Sequence, residues 1–168
     1  PNRVKGRINY TVWSDVFRCP HCGEEIVFWQ AAVDKENGKI LDAWDCPRCA
    51  SLLAKSPKKD SGALRAERVM DTVYDRALQK TIQLARQVPV LINYSLGKKR
   101  YEKEPDGEDL GLIKKIEESD IPYQFPIAEL PRGFNTVQPK ESHGLTHVHH
   151  FYTRRSLVLL ISLLNIFK

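Results

Sequence analysis

Cys19-Pro20-His21-Cys22-Gly23 and Cys46-Pro47-Arg48-Cys49 are two copies of one short word, and they hold all four cysteines of the 168-residue chain. Each pair leaves two residues between its thiols, and 23 residues separate Cys22 from Cys46. A C-x-x-C turn aims two sulfurs and several backbone N–H groups at one point, where the N–H groups stabilise thiolate charge. A second such turn, returned by a hairpin, completes a tetrahedral site with no open position. Cys19, Cys22, Cys46 and Cys49 are therefore expected to hold a structural zinc ion. Iron in a rubredoxin-like site uses the same ligand geometry and stays open as an alternative. Two disulfides require an oxidising compartment, and nothing here resembles a secretory signal. A thioredoxin-like redox pair requires a single C-x-x-C beside a βαβ pattern.

The sequence between the knuckles suits a ribbon. Glu25 to Trp29 and Ala31 to Val33 are β-prone, Asn37-Gly38 is a favoured two-residue turn, and Lys39 to Leu41 returns the strand. Tyr10 to Trp13 and Asp15 to Phe17 lead in as strand. The chain is thus expected to be α+β: a zinc-ribbon β-hairpin unit, then a small mixed β-hairpin and helix unit, then a C-terminal apolar helix. The expected boundaries are a ribbon over 1–54, a polar linker over 55–66, an α+β unit over 67–152 and the apolar helix over 153–168.

Within the second unit, Arg68 to Tyr74, Lys80 to Leu84 and Gln87 to Ser95 read as strands, the last at an edge near Pro89. Gly97 turns the chain into Lys99–Glu102. Pro105-Asp106 opens a helix to Ser119, with Leu110, Ile113 and Ile116 on one side. Asp120 to Pro139 is rich in proline and aromatic residues and reads as extended but ordered. Leu157 to Phe167 is apolar on nearly every side, a pattern normally buried in a larger core. With a start at Pro1, this predicts a piece of a longer protein whose last helix belongs to a neighbouring domain. No stretch reaches the roughly 18 apolar residues of a membrane span, and a cytoplasmic location is expected.

A net charge of +5 admits either an ordinary lysine-rich surface or a phosphate-bearing partner. Lys98, Lys99 and Arg100 at a hairpin tip are candidate phosphate contacts. Arg154 and Arg155 follow Thr153, a good N-cap, and stand in the first turn of the apolar helix, where cations oppose the dipole. Either an anion bound at that end or acidic groups of a neighbouring domain offset the opposition. Four of the five histidines fall in His143–His150, where a strand would put His147 and His149 on one face as candidate metal ligands, though with no carboxylate at matched spacing. Aromatic residues such as Trp13, Trp29, Tyr94 and Tyr101 lie among cations and suit base stacking or a core. Paired catalytic carboxylates, a G-x-S-x-G elbow, a P-loop and a glycine-rich dinucleotide fingerprint are all lacking.

The words Tyr10-Thr-Val-Trp-Ser-Asp-Val-Phe17, Glu25-Ile-Val-Phe-Trp29, Val88-Pro-Val-Leu-Ile-Asn-Tyr-Ser95, Gly133-Phe-Asn-Thr136 and His147-Val-His-His-Phe-Tyr-Thr-Arg-Arg155 carry a resemblance over nearly the whole chain. It resembles the adenine-specific DNA methylases that contain a zinc ribbon. The resemblance implies a parent enzyme that transfers methyl from S-adenosylmethionine to the amino group of adenine in DNA, with a doubly wound α/β catalytic domain. The F-x-G-x-G cofactor loop and the (D/N)-P-P-(Y/F/W) catalytic loop of that family do not occur here. The chain thus resembles the insert between those motifs, without catalytic residues and without its own S-adenosylmethionine site. DNA and the catalytic domain of the parent are its expected partners. Ala50 departs from the glycine common after a second knuckle, which implies a slightly different local backbone there. A protein-interaction module and an RNA-binding ribbon protein are the rival expectations.

Overall fold

The computed structural model describes residues 6–34 and 37–166. Pro1 and Phe167, which bound the sequence expectations, lie outside the described residues. The chain is α+β. It divides into two compact units, one ending at Asp71 and resuming over Ala85–Glu104, the other formed by Thr72–Leu84 and the chain from Pro105 onward. This division does not coincide with the boundaries expected from the sequence.

The first unit runs through β1 (Arg7–Arg18), β2 (Glu25–Val27), α1 (Phe28–Ala32), β3 (Val33–Asp34), β4 (Lys39–Ile40), β5 (Ala43–Asp45), β6 (Leu52–Ala54), β7 (Leu64–Arg65) and β8 (Glu67–Arg68). The chain departs along β9 (Met70–Asp75), returns along β10 (Lys80–Ala85), and completes the unit with β11 (Gln87–Leu96) and β12 (Lys99–Lys103). The β-branched and aromatic run of β1 is the spine. Arg7–Asp15 pairs antiparallel with β11, and Val16–Arg18 pairs with β2 and β8. The sheet order is β12-β11-β1-β2. Pro89, opposite Trp13, sits at a register shift after Val12, and β12 pairs with β11 only from Ile92 on. A residue without an N–H is accommodated where the ladder is already interrupted.

Three expectations change in this unit. Phe28–Ala32 is a single helical turn rather than strand, which buries Phe28 and Ala32 together. Tertiary burial overrides the β propensity of the run. Val33↔Ile40 and Asp34↔Lys39 are paired, so Asn37-Gly38 does not by itself form a two-residue turn. The Asp34 carboxylate accepts from the Asn37 backbone and side chain at 3.1 and 2.7 Å, an Asx-type contact that draws Asn37 back to the end of β3. The 55–66 segment is not a plain linker: β7 adds parallel to β6, and Ala66 is buried.

In the second unit β9 and β10 form a two-stranded sheet. The helices are α2 (Gly107–Glu118), α3 (Phe134–His143) and α4 (Arg154–Ile166), with a 3-10 turn over Val148–Phe151. α2 opens where expected, with Asp106 as its cap: its carboxylate accepts from the N–H groups of Glu108 and Asp109, and Asp109 accepts from the Asp106 N–H, all at 3.0 Å. The expected extended segment to Pro139 is helical from Phe134, and Pro139 lies inside α3. Proline there removes one helix hydrogen bond, which masks the helix at the level of sequence pattern. Thr153 caps α4 through the Ser156 N–H at 3.3 Å. Leu157 and Ile161 of α4 are buried, whereas Leu159, Leu160, Leu163 and Leu164 are exposed. No helix among the described residues is long and apolar enough to cross a membrane.

Candidate metal centre

Two strand–knuckle–strand units build the centre. β1 delivers Cys19 and β2 leaves after Glu24; β5 delivers Cys46 and β6 leaves after Ser51. In the first knuckle Cys19 N–H donates to Glu24 O and Gly23 N–H to Cys19 O, both at 2.9 Å. In the second, Cys46 N–H donates to Ser51 O and Ala50 N–H to Cys46 O, again at 2.9 Å. The equivalence extends to the fifth residue: Gly23 has φ 75° and Ala50 φ 55°. Ala50 therefore adopts the left-handed backbone of the glycine it replaces, and the local difference expected from the sequence is small. An alanine bears about 1–2 kcal/mol of strain there, partly offset by its smaller freedom when unfolded. Ala50→Gly is expected to stabilise the metal-bound chain by about 0.5–1 kcal/mol, read as a raised denaturant midpoint at fixed metal.

The four sulfurs lie within 4.8 Å of one another. Cys19 Sγ to Cys49 Sγ is 3.7 Å and Cys22 Sγ to Cys46 Sγ is 3.6 Å. Disulfide sulfurs stand about 2.05 Å apart. Thiolates at about 2.3 Å from one tetrahedral ion stand about 3.8 Å apart. The four cysteines are thus positioned to hold a metal ion and are compatible with structural zinc. Their protonation chemistry agrees with a shared site. Hydrogen bonds from Ser51 hold the Cys49 thiol down at about 5. Cys22, although a Glu24 N–H pulls it down, is pushed up to about 12 by burial and by the neighbouring thiols. Four thiols this close compete for protons, and a cation relieves that competition.

An apolar floor supports the knuckles. Phe17, Phe28 and Trp44 meet at ring-centroid distances of 5.1–5.8 Å and pack with Cys19, Cys46, Leu53 and Ala66. Edge-to-face contacts of this kind add to burial. Lys55, read from sequence as the start of a polar linker, places Nζ 3.5 Å from the Phe28 centroid. Its pKa is lowered by burial. Arg68 stacks 4.9 Å from the Phe17 centroid and is ion-paired with the largely buried Asp15. No sequence period announces these contacts, because the cations come from segments 38 and 51 residues beyond Phe17.

The other candidate residues fall in separate places. Lys98 stands in the two-residue turn between β11 and β12, and Lys99 and Arg100 begin β12; all three are exposed. Lys99 and Arg100 face opposite sides of the strand. Tyr101 shares the Lys99 face and stacks on Tyr94 at 5.7 Å. In the second unit, Arg154 Nε donates to Ser119 O at 2.5 Å, so a carbonyl at the C-terminal end of α2 accepts the charge that opposes the α4 dipole. Arg155 is exposed.

The histidines are not in a strand beyond an isolated bridge at His147. His149 and His150 lie on the 3-10 turn, and both Nε2 atoms reach Asp75 Oδ2, at 2.8 and 2.9 Å. Asp75 is the carboxylate absent from the local spacing; it is 74 residues from His149 and invisible to local pattern. His147 bonds Thr146 Oγ1 at 2.9 Å and is not in this group. Burial lowers the pKa of both His147 and His150. Burial pushes Asp75 up, but the two imidazoles and the Leu78 N–H outweigh it and hold the carboxyl at about 2.

No family model matches the chain, and neither a curated protein nor a solved structure matches it.

Proposed function

We propose that this chain is the zinc-ribbon and target-recognition region of an S-adenosylmethionine-dependent, adenine-specific DNA methyltransferase. Zinc occupies the four-cysteine centre and fastens the knuckles to the aromatic floor. It takes no part in methyl transfer, since four thiolates leave it no open position. S-adenosylmethionine and the reacting adenine belong to the parent's catalytic domain, consistent with a sequence that lacks both motifs. The observation that carries the DNA contact is the β11–β12 hairpin tip. Lys98, Lys99 and Arg100 are exposed there, Lys99 shares a strand face with the stacked Tyr94–Tyr101 pair, and such a tip offers charge to phosphate and a π-face to a base.

The test is mobility of duplex DNA with the zinc-loaded chain across a salt series. Binding is expected to weaken steeply with salt. Replacing Lys98, Lys99 and Arg100 together by alanine is expected to flatten the log–log salt slope by up to about 3, close to one for each phosphate no longer neutralised. Failure to bind at low salt, or an unaltered slope, rejects the DNA reading. A specific observation then favours the second one, a protein-interaction module. Leu159, Leu160, Leu163 and Leu164 form an exposed apolar strip on α4, and such strips mark protein contacts. Tighter binding of single-stranded RNA than of DNA selects the RNA-binding reading.

A further inference from the structure

The proposed function makes no use of Asp75, His149 and His150. Their side chains are 8%, 8% and 3% exposed, yet they line a groove of about 750 Å³ within the second unit. Arg76, Phe125, Tyr152 and Arg154 form other parts of its wall. A buried carboxylate facing two imidazoles beside open volume calls for an explanation beyond packing.

We propose that Asp75, His149 and His150 bind a second metal ion, a divalent transition metal with zinc as its simplest occupant, and that exchangeable coordination positions open to the groove.

The donor set comes first. Two imidazoles and one carboxylate suit zinc and its first-row neighbours, and three protein ligands leave room for water or an anion. Placement comes second. The three donor atoms lie within 4.8 Å of one another, with both Nε2 atoms converging on one oxygen. Nitrogen and oxygen ligands of a tetrahedral ion stand about 3.3 Å apart. The observed 2.8 and 2.9 Å therefore need to open by only about half an ångström, within the reach of small side-chain rotations. Orientation comes third. The Ala77 and Leu78 N–H groups donate to Asp75 Oδ1 at 2.8 and 3.0 Å, which fixes the carboxylate and leaves Oδ2 turned to the histidines.

The competing account is a clamp in which both Nε2–H groups donate to Asp75. In its favour, Thr146 N–H donates to His150 Nδ1 at 3.2 Å, which places the ring proton on Nε2. Metal binding moves that proton to Nδ1 and releases the Thr146 N–H. The two N–H donors then face each other and must part, and leaving one unpaired lowers affinity by roughly five- to a hundredfold, which bonds to three nitrogen and oxygen ligands offset. His149 Nδ1 is buried with no partner, so the proton that metal binding brings there finds no acceptor, a second cost of the same kind.

The experiment is zinc titration of the metal-stripped full chain, with metal counted by elemental analysis and the histidine rings followed by nitrogen-15 NMR. Two equivalents are expected. Filling of the second site moves the His150 proton from Nε2 to Nδ1 and shifts the Thr146 amide. Asp75→Asn is expected to bind one equivalent, at the cysteines alone. Saturation of the wild type at one equivalent with unchanged ring signals overturns the proposal, as does an Asp75→Asn chain that still takes two. Should Asp75→Asn fail to fold, the wild-type ring signals decide: a tautomer change with the second equivalent supports the site, and no change rejects it. None of these readouts depends on DNA or on methyl transfer.

Discussion

Cys46→Ser is expected to remove the ribbon metal and to melt the lobe built around it. Cys46 is among the most deeply buried side chains, and it packs with Phe17, Phe28, Trp44 and Leu53. Replacing its sulfur removes one of four ligands and leaves a poor hydroxyl ligand within an apolar floor. Zinc binding in small units supplies roughly 10–16 kcal/mol of apparent free energy, as much as the entire stability of an ordinary domain. The floor is too small to hold without it. The loss should therefore exceed any single packing change, with the chain giving up one equivalent of zinc. Trp44 emission should shift to the red, and amide signals from Cys19 to Ala54 should collapse. The unit carrying α2, α3 and α4 has its own contacts and should keep its spectrum. Cys46→His is the control. A nitrogen ligand belongs to the same zinc chemistry, so this variant should retain most of the metal if ligation, and not sulfur packing, is what matters. Wild-type metal content and Trp44 emission in Cys46→Ser would end the reading of the four cysteines as a metal centre.

How much of the fold and the site is legible in the sequence depends on how locally each feature is encoded. The knuckles are readable because a C-x-x-C turn fixes two ligands within one turn of backbone. The start of α2 is readable because Pro105-Asp106 is a local helix-opening signal. β1, β11 and the Gly97-Lys98 turn follow from residue type and alternation. The misses share a different physics. Phe28–Ala32 is helical because burial of Phe28 and Ala32 outweighs the strand preference of the run. Lys55 sits over Phe28, and Asp75 reaches His149 and His150, across sequence distances that no period spans. The candidate cations are visible in the sequence as residues, but their grouping is not. Lys98–Arg100 belong to the first unit and Arg154 and Arg155 to the second. Pattern gives an element its type, whereas long-range contacts decide which chemistry meets.

Gly144→Ala is the second change expected to be severe, and its reason is separable into parts. Gly144 ends α3 with φ 73°, and its N–H donates to Lys140 O at 3.0 Å while Leu145 N–H donates to Pro139 O at 3.2 Å. This is a left-handed helix stop. A β-carbon added there would stand 1.9 Å from Gln83 O and 3.0 Å from Gln83 C. Both are main-chain atoms of β10, so no flexible side chain can swing aside. Left-handed strain alone costs about 1–2 kcal/mol. Ala50 shows that the chain tolerates it, since alanine already occupies φ 55° at an exposed position. Gly97 provides the matched control: φ 60°, with nothing within 4 Å of an added β-carbon. Gly97→Ala should lose only about 1 kcal/mol. Gly144→Ala must also push α3 or β10 away, a change in the class that costs about 3 kcal/mol or more. Denaturant melts would measure both, Gly97→Ala followed by NMR signals of β11 and β12 in the first unit and Gly144→Ala by those of α3 and the His149–Asp75 contact in the second. The excess of Gly144→Ala over Gly97→Ala is the energy of the close approach between α3 and β10. Equal losses in the two variants would mean that the second unit yields at that point at no expense. The packing that brings Asp75 to the histidines would then be looser than a fixed ligand set requires.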